Sequence, residues 1–166
     1  MAWTNAPLEL FHGTDAASAH SILGSGVSLS YCSPLTDFGA GFYTTTNLTQ
    51  ARDWAIARAT RAGRAPAVVG FAVDRTWLSR LEGLTFVQSG HATGYQDFVR
   101  YCRAGHAPHR PGGVDYEVVS GRVAIWPRRT ATLLTFRRYD QFSFHTSKVI
   151  LALNALWITP HGRIVP

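Results

Sequence analysis

Two short clusters combine polar side chains with glycines, and both are suited to holding a flat ligand that carries an amide. The first is His12-Gly13-Thr14, and the second is the run Asp37 to Thr45, which reads Asp-Phe-Gly-Ala-Gly-Phe-Tyr-Thr-Thr. Glycine leaves its backbone N–H and C=O unshielded and permits backbone angles that other residues avoid. His12 and Tyr43 would add a hydrogen bond and a stacking surface. Taken alone, each cluster is also typical of an ordinary strand.

The residues around these clusters predict one strand and two helices. Leu8 to His12 reads as a strand, and Asp15 is the predicted N-cap of a helix from Ala16 to Leu23. Asn47 followed by Gln50 resembles a capping box and predicts a second helix that runs to about Ala62. We expect this helix to bury Leu48, Trp54 and three alanines at helical spacing, Ala51, Ala55 and Ala59.

The rest of the chain alternates strands and helices. Ala67 to Val73 is a continuous apolar strand, and apolar residues recur at helical spacing from Tyr95 to Cys102. Further strands are predicted at Val114 to Val119, Arg122 to Trp126 and Gln141 to His145, and Thr146 is predicted to cap a last helix. The pattern indicates an α+β fold with a pair of packed, twisted sheets and flanking helices.

The order of the motifs resembles the ADP-ribosyltransferase superfamily, and most closely a bacterial, toxin-type branch of largely uncharacterised proteins. That branch reads His-Gly-Ser/Thr, then Asp-Phe-Gly-x-Gly-Phe-Tyr-x-Thr, and finally Gln-x-Ser-Phe-His-Thr, which this chain carries at Gln141 to Thr146. Between these motifs, Gln50 to Ala55 matches Gln-Ala-x-x-Trp-Ala, and Asp115 to Ala124 matches Asp-Tyr-x-Val-x-x-Gly-x-Val-Ala. The resemblance extends from about Leu8 to Leu153.

This resemblance implies a single ADP-ribosyltransferase-like catalytic domain over residues 1–166, with mainly antiparallel sheets around an NAD cleft. The implied reaction cleaves the nicotinamide–ribose bond of NAD and transfers ADP-ribose to an acceptor protein or nucleic acid. It also implies a bacterial toxin or effector role, with NAD as co-substrate, no metal, and an antitoxin or immunity protein as inhibitory partner.

The resemblance assigns roles to individual residues. His12 would contact the adenosine ribose, Gly13 would hold the nicotinamide amide through its backbone, and Tyr43 would stack on nicotinamide. The implied catalytic residues are His12, Tyr43 and Gln141, and the implied NAD contacts are His12, Gly13, Thr14, Tyr43, Thr44, Gln141 and His145. Asp37 would either contact ribose or the target, or form a turn.

Gln141 departs from the superfamily, which commonly has a Glu on this late strand. A glutamine amide can hydrogen-bond ribose but cannot act as a general base. We rank Gln141 first as the third catalytic element, His145 second because it lies on the same strand face, and Glu117 third. Asp140 would point to the opposite face. A NAD glycohydrolase and a catalytically degenerate NAD-binding module therefore remain alternatives.

The chain is strongly basic, with a net charge of +6, and fifteen of its sixteen basic residues are Arg. Arginine forks bind phosphates well, which suits NAD, a nucleic acid or an acidic inhibitor. An Arg-for-Lys habit of a GC-rich genome is the alternative explanation. The densest pairs are Arg128-Arg129 and Arg137-Arg138. A nucleic-acid-binding domain is a further alternative, with Tyr31, Phe42, Tyr43 and Trp126 as stacking platforms.

Other features argue against further chemistry. Cys32 and Cys102 are too widely spaced for a zinc motif, and we expect free thiols. His91, His106 and His109 lack metal-ligand spacing, and we expect them at the surface. No stretch is long and apolar enough for a membrane helix, and the N-terminus lacks a signal-peptide pattern. We therefore expect a protein of the cytoplasm, its own or that of a target cell.

Overall fold

The computed structural model describes residues 6–87, 93–110, 112–125, 134–156 and 163–165. The strands are β1 (Leu8–Asp15), β2 (Phe42–Thr44), β3 (Pro66–Val73), β4 (Gly83–Thr85), β5 (Val118–Ile125), β6 (Leu134–Phe144) and β7 (Arg163–Val165). The helices are α1 (Ala16–Ser25), α2 (Leu48–Ala62), α3 (Arg75–Leu78), α4 (Thr93–Arg103) and α5 (Ser147–Leu156), and Leu29–Tyr31 forms a 3-10 turn. The expected α+β class is confirmed.

The chain divides into two units. Unit 1 comprises Met1–Ser28, Thr44–Leu81 and Ile150–Pro166, and unit 2 comprises Leu29–Tyr43 and Glu82–Val149. The expectation of one catalytic domain over residues 1–166 stays a prediction. Within the described residues, no helix meets the length and hydropathy needed to cross a membrane.

Unit 1 contains a three-stranded sheet in the order β1-β3-β7, in which both pairs are antiparallel. Helix α2 packs on β1 and β3. Its alanines at positions 51, 55 and 59 are buried, as predicted, and they are small enough to bring the helix close to the sheet. The expectation that Trp54 joins the core is wrong, because Trp54 is 52% exposed. It precedes Ala55 and so lies about 100° around the helix from that buried face.

Local capping chemistry sets the helix ends in unit 1, as the sequence predicts. Asp15 Oδ1 accepts a hydrogen bond from Ser18 N at 3.1 Å at the start of α1. Asn47 Oδ1 accepts one from Gln50 N at 3.1 Å at the start of α2. Helix α2 ends at Gly63, whose φ of 62° lies in the left-handed region that favours glycine.

Unit 2 contains most of a four-stranded sheet in the order β2-β6-β5-β4. Strands β5 and β6 are antiparallel, whereas β4 is parallel to β5. An aromatic-rich cluster forms the core, and its buried members are Phe38, Tyr95, Val99, Val119 and Ala124. The predicted cap at Thr146 is confirmed, since Thr146 Oγ1 accepts from Val149 N at 3.3 Å in the first turn of α5.

The prediction of two strands at Val114 to Val119 and Arg122 to Trp126 is wrong. A single strand, β5, replaces them, because Ser120 and Gly121 stay in register with Phe142 and Gln141 of β6. Trp126 lies outside the described residues. The short elements β4, β7 and α3 were not predicted, since three or four residues give too little periodicity to detect.

Candidate functional site

The His12-Gly13-Thr14 cluster lies in β1, at an edge of the unit 1 sheet. Phe11 exchanges backbone hydrogen bonds of 2.8 and 2.9 Å with Thr45, on the side of β1 away from β3. Backbone groups alternate sides along an antiparallel strand. The N–H and C=O of Gly13, two residues after Phe11, therefore point away from β3, toward the outer edge of β1.

Gly13 also has a packing role. A Cβ atom at this position would lie 2.0 Å from Ala51 O and 2.9 Å from Ala55 N of helix α2. Both neighbours are backbone atoms, so a side chain would displace the helix from the sheet. Glycine at position 13 is thus required by the fold whether or not its backbone binds a ligand.

Two residues that flank Gly13 differ in burial. His12 is half-buried in β1, opposite Val69 of β3. Thr14 is only 1% exposed, and its Oγ1 has no hydrogen-bond partner among the described residues. A buried hydroxyl without a partner is uncommon, because it keeps the full cost of desolvation. Thr44 is likewise buried.

The second cluster places Tyr43 in unit 2 with its hydroxyl anchored. Phe38 N donates to the Tyr43 hydroxyl at 2.8 Å, and the hydroxyl donates to Gly39 O at 2.9 Å. Thr36 Oγ1 lies 2.8 Å from the same atom. Burial raises the pKa of Tyr43 well above its ordinary value, so the hydroxyl stays protonated. The ring is half-buried and nearly parallel to Phe38, with the ring centroids 6.3 Å apart.

Gln141 lies on β6 and is 4% exposed. Its Nε2 donates to Asp37 Oδ2 at 2.7 Å and to Arg122 O at 3.0 Å. Asp37 is also buried, and it accepts a further hydrogen bond from Ala124 N. It also forms an ion pair with Arg103, and both residues belong to unit 2. Gln141 and Asp37 therefore form one buried polar network.

His145 follows β6 and is 7% exposed. Its Nδ1 lies 2.8 Å from Ala40 O, which can only accept, so Nδ1 carries the proton. Nε2 then holds the lone pair, and it has no hydrogen bond within the described part of the chain. Burial is the main cause that lowers the pKa of His145 to about 4, and the neighbouring His109 is the second cause. The centroids of the two rings are 4.3 Å apart. His145 is therefore a neutral acceptor and a weak base near neutral pH.

Glu117 is held by two other groups in unit 2. Lys148 Nζ donates to Glu117 Oε1 at 2.9 Å, and Glu82 N donates to Oε2 at 2.8 Å. The Lys148 hydrogen bond, together with the backbone bond, lowers the pKa of Glu117. Both carboxylate oxygens are thus engaged. Asp140, one residue before Gln141, is half-buried and opposite Arg122 in the β5–β6 register.

Sequence reasoning missed two members of this site. His109 was expected at the surface, but its side chain is 4% exposed, and Nε2 lies 2.8 Å from Phe38 O. Arg103 was given no role. The amphipathic pattern of α4 predicts a helix at Arg103 but no partner for its side chain, and no local pattern pairs Arg103 with Asp37. His106 is exposed as expected, whereas His91 lies outside the described residues.

The described residues contain no group of three or more His, Cys, Asp or Glu side chains that could hold a metal ion. Cys32 and Cys102 are free thiols, as expected. Unit 2, taken by itself, combines the anchored Tyr43 ring with one buried polar network around Asp37 and Gln141.

A family described as "Protein of unknown function (DUF3990)" matches the sequence over residues 8–126, more than half of the chain. The match includes both N-terminal clusters and helix α4, and it ends before β6. No curated protein and no solved structure gives a significant match.

Proposed function

We propose that this chain, which belongs to the DUF3990 family of proteins of unknown function, is an NAD-dependent mono-ADP-ribosyltransferase of bacterial toxin or effector type. The reaction would cleave the nicotinamide–ribose bond and transfer ADP-ribose to a protein or nucleic acid. The proposal includes an ADP-ribosyltransferase-type fold, action in the cytoplasm where NAD is found, and an antitoxin or immunity protein as inhibitor.

The orientation of Gly13 carries this proposal. A carboxamide has one acceptor and one donor group side by side, and a strand edge offers the complementary N–H and C=O pair. Gly13 directs such a pair to the outer edge of β1, next to the half-buried His12. This is the arrangement that the resemblance assigns to nicotinamide and the adenosine ribose.

The second support comes from unit 2, taken by itself. Three neighbours hold the Tyr43 hydroxyl, so the ring has one orientation before any ligand arrives. A fixed ring loses little entropy when a ligand stacks on it. Loss of neutral nicotinamide leaves positive charge on the ribose, and oriented acceptor atoms stabilise such charge. Gln141 is an acceptor of this kind.

A NAD glycohydrolase is the second candidate function. Transfer to an acceptor usually needs a general base, and two of the acids weighed in unit 2 are engaged by cations. Asp37 is bound by Arg103, and Glu117 is bound by Lys148. Hydrolysis needs no acceptor site, because water itself takes up the ribose cation. Of the stacking platforms expected in the nucleic-acid-binding alternative, Phe42 is only 5% exposed and cannot stack on a base, whereas Tyr31 is 85% exposed.

Nicotinamide release from NAD tests the proposal. The purified protein is incubated with labelled NAD, with and without cell extract, and both nicotinamide and macromolecular label are measured. Release with label transfer supports the transferase, and release without transfer identifies a glycohydrolase. A protein that releases no nicotinamide and does not bind NAD would overturn both the transferase and the glycohydrolase proposals.

Tyr43→Ala provides the residue-level test of this function. Loss of the stacking ring should lower the rate of NAD cleavage by about tenfold or more. Tyr31→Ala is the matched control, because Tyr31 is 85% exposed, and its activity should equal that of the wild type. Circular dichroism checks that both variants are folded. A folded Tyr43→Ala protein with normal NAD turnover would remove Tyr43 from the site.

A further inference from the structure

We propose that Asp37 is a positioning residue that orients the Gln141 amide, so that only the oxygen Oε1 of Gln141 is left to bind a ligand. The inference rests on the NAD-dependent function proposed above. It assigns Gln141 the role of a neutral hydrogen-bond acceptor for a ribose hydroxyl of NAD. Asp37 itself would not touch the ligand.

The first step is the use of both Gln141 amide hydrogens. Nε2 donates one to Asp37 Oδ2 and the other to Arg122 O. A carboxylate and a carbonyl can only accept, so the reversed amide would set Oε1 against two acceptors. The amide therefore has one orientation. Both hydrogen bonds of this side chain within the described residues use Nε2, so Oε1 is the atom left to accept from a ligand hydroxyl.

The second step is the immobility of Asp37. Its Oδ1 accepts from Arg103 Nε at 2.8 Å and from a second nitrogen of the same guanidinium. Its Oδ2 accepts from Ala124 N at 2.8 Å in addition to the Gln141 amide. A carboxylate with this many donors cannot rotate to act as a mobile base. Its effect on a ligand must pass through Gln141.

The network also gives a reason for an amide at the position where the ADP-ribosyltransferase superfamily commonly has an acid. Glutamate at position 141 would bring a second carboxylate to within hydrogen-bond distance of Asp37, with the Arg122 carbonyl beside both. Two carboxylates at such a short distance from each other cannot both be ionised. Glutamine has the same shape as glutamate, but its amide can donate to both Asp37 and the Arg122 carbonyl. The acid at position 37 therefore favours an amide over an acid at position 141.

A double-mutant cycle on NAD cleavage tests the inference, using Asp37→Asn, Gln141→Met and the double variant. Asp37→Asn should lower kcat by about tenfold with little change in KM, because the oriented acceptor acts on developing charge. In the Gln141→Met background, Asp37→Asn should have no further effect on kcat. An equal loss in both backgrounds, or no loss in either, would overturn the positioning role.

Asp97→Asn is the charge-matched control. Asp97 is also in unit 2 and is 64% exposed, and its substitution removes the same charge without touching the network. It should leave kcat and KM unchanged. A wild-type protein that does not cleave NAD would contradict the proposed function. That result would be distinct from a failure of the positioning role of Asp37, which is then tested by the next measurement.

A spectroscopic measurement on the intact protein keeps the inference testable in that case, and also if Asp37→Asn does not fold. With glutamine side chains labelled with ¹⁵N, the Gln141 amide signal is assigned by its loss in Gln141→Met. Its hydrogens should exchange with solvent far more slowly than those of the half-buried Gln96. Equal exchange rates would show that Asp37 does not hold the amide.

Discussion

At the scale of single residues, close packing requires a glycine in each of the two clusters, at Gly13 and at Gly41. Gly13 faces the backbone of α2, and Gly41 faces two side chains at the end of β6. A Cβ on Gly41 would lie 2.3 Å from Ser143 Oγ and 2.6 Å from His145 Cε1. Because Ser143 and His145 are buried, neither side chain has room to move away.

Gly41→Ala should therefore lower the free energy of unfolding by about 1–3 kcal/mol, the usual cost of overpacking a buried site. Gly24→Ala is the control, because nothing lies within 4 Å of a Cβ in that position of α1. Alanine in a helix should stabilise the protein by about 0.5–1 kcal/mol. Urea unfolding measures both. A Gly41→Ala protein as stable as the wild type would show that the His145 ring adjusts freely.

At the scale of elements, helix α5 ties a loop of unit 1 in place through one side chain. Asn154 Oδ1 accepts from Val27 N at 2.9 Å, and Asn154 Nδ2 donates to Val27 O at 3.1 Å. The side-chain amide thus pairs with a backbone peptide as a neighbouring strand would. The amide lies against Gly26, where a Cβ would be 2.8 Å from Asn154 Cγ.

Asn154→Ala should lower the free energy of unfolding by about 1–3 kcal/mol, because it leaves the N–H and C=O of buried Val27 without partners. Leu151→Ala is the control on the same helix. Leu151 is 69% exposed, so its removal should change stability by less than about 0.5 kcal/mol. Equal stability of the two variants in urea would contradict the bridging role of Asn154.

At the scale of the whole molecule, each unit contains a buried ionisable group whose pKa is lowered, and both shifts make the protein less stable in acid than at neutral pH. Burial raises the pKa of Asp15, but hydrogen bonds from Ser18 and Arg64 outweigh it and hold that pKa well below 3.8. Burial and His109 lower the pKa of His145 from 6.5 to about 4. Stability should therefore depend on pH.

The expected pH dependence follows from the sign of each shift. Between pH 6.5 and 4 the unfolded His145 binds a proton that the folded form does not, so stability falls as the pH falls through this window. The loss should be about 3 kcal/mol. The contribution of Asp15 is present above pH 3.8 and is lost below it. Urea unfolding at several pH values between 7 and 4 measures the His145 contribution, and further points below pH 3.8 add the contribution of Asp15.

His145→Asn should flatten the slope between pH 6.5 and 4, whereas His20→Asn, which changes an exposed histidine, should leave it unchanged. An NMR titration of the wild type gives an independent check, since the His145 ring should titrate near pH 4. A ring that titrates near 6.5 would contradict the buried, neutral state.

The sequence by itself determined the features that depend on neighbours in the chain. Asp15 and Asn47 each bond a residue three positions away, and Gly63 ends α2 by its own backbone angle, so local pattern predicted these helix ends. The α+β class and the alanine face of α2 followed from periodicity. The residue types of the proposed site, a His-Gly pair, a Tyr and a late Gln, were also visible, although their ligand roles stay predictions.

Only the tertiary structure decided which groups meet. Asp37 contacts residues that are 66, 87 and 104 positions away, and no local pattern marks such partners. The same holds for His109, which packs against His145. A buried carboxylate needs several donors to offset its desolvation, and only folding brings those donors together. The chemistry left to Gln141 is therefore a property of the fold.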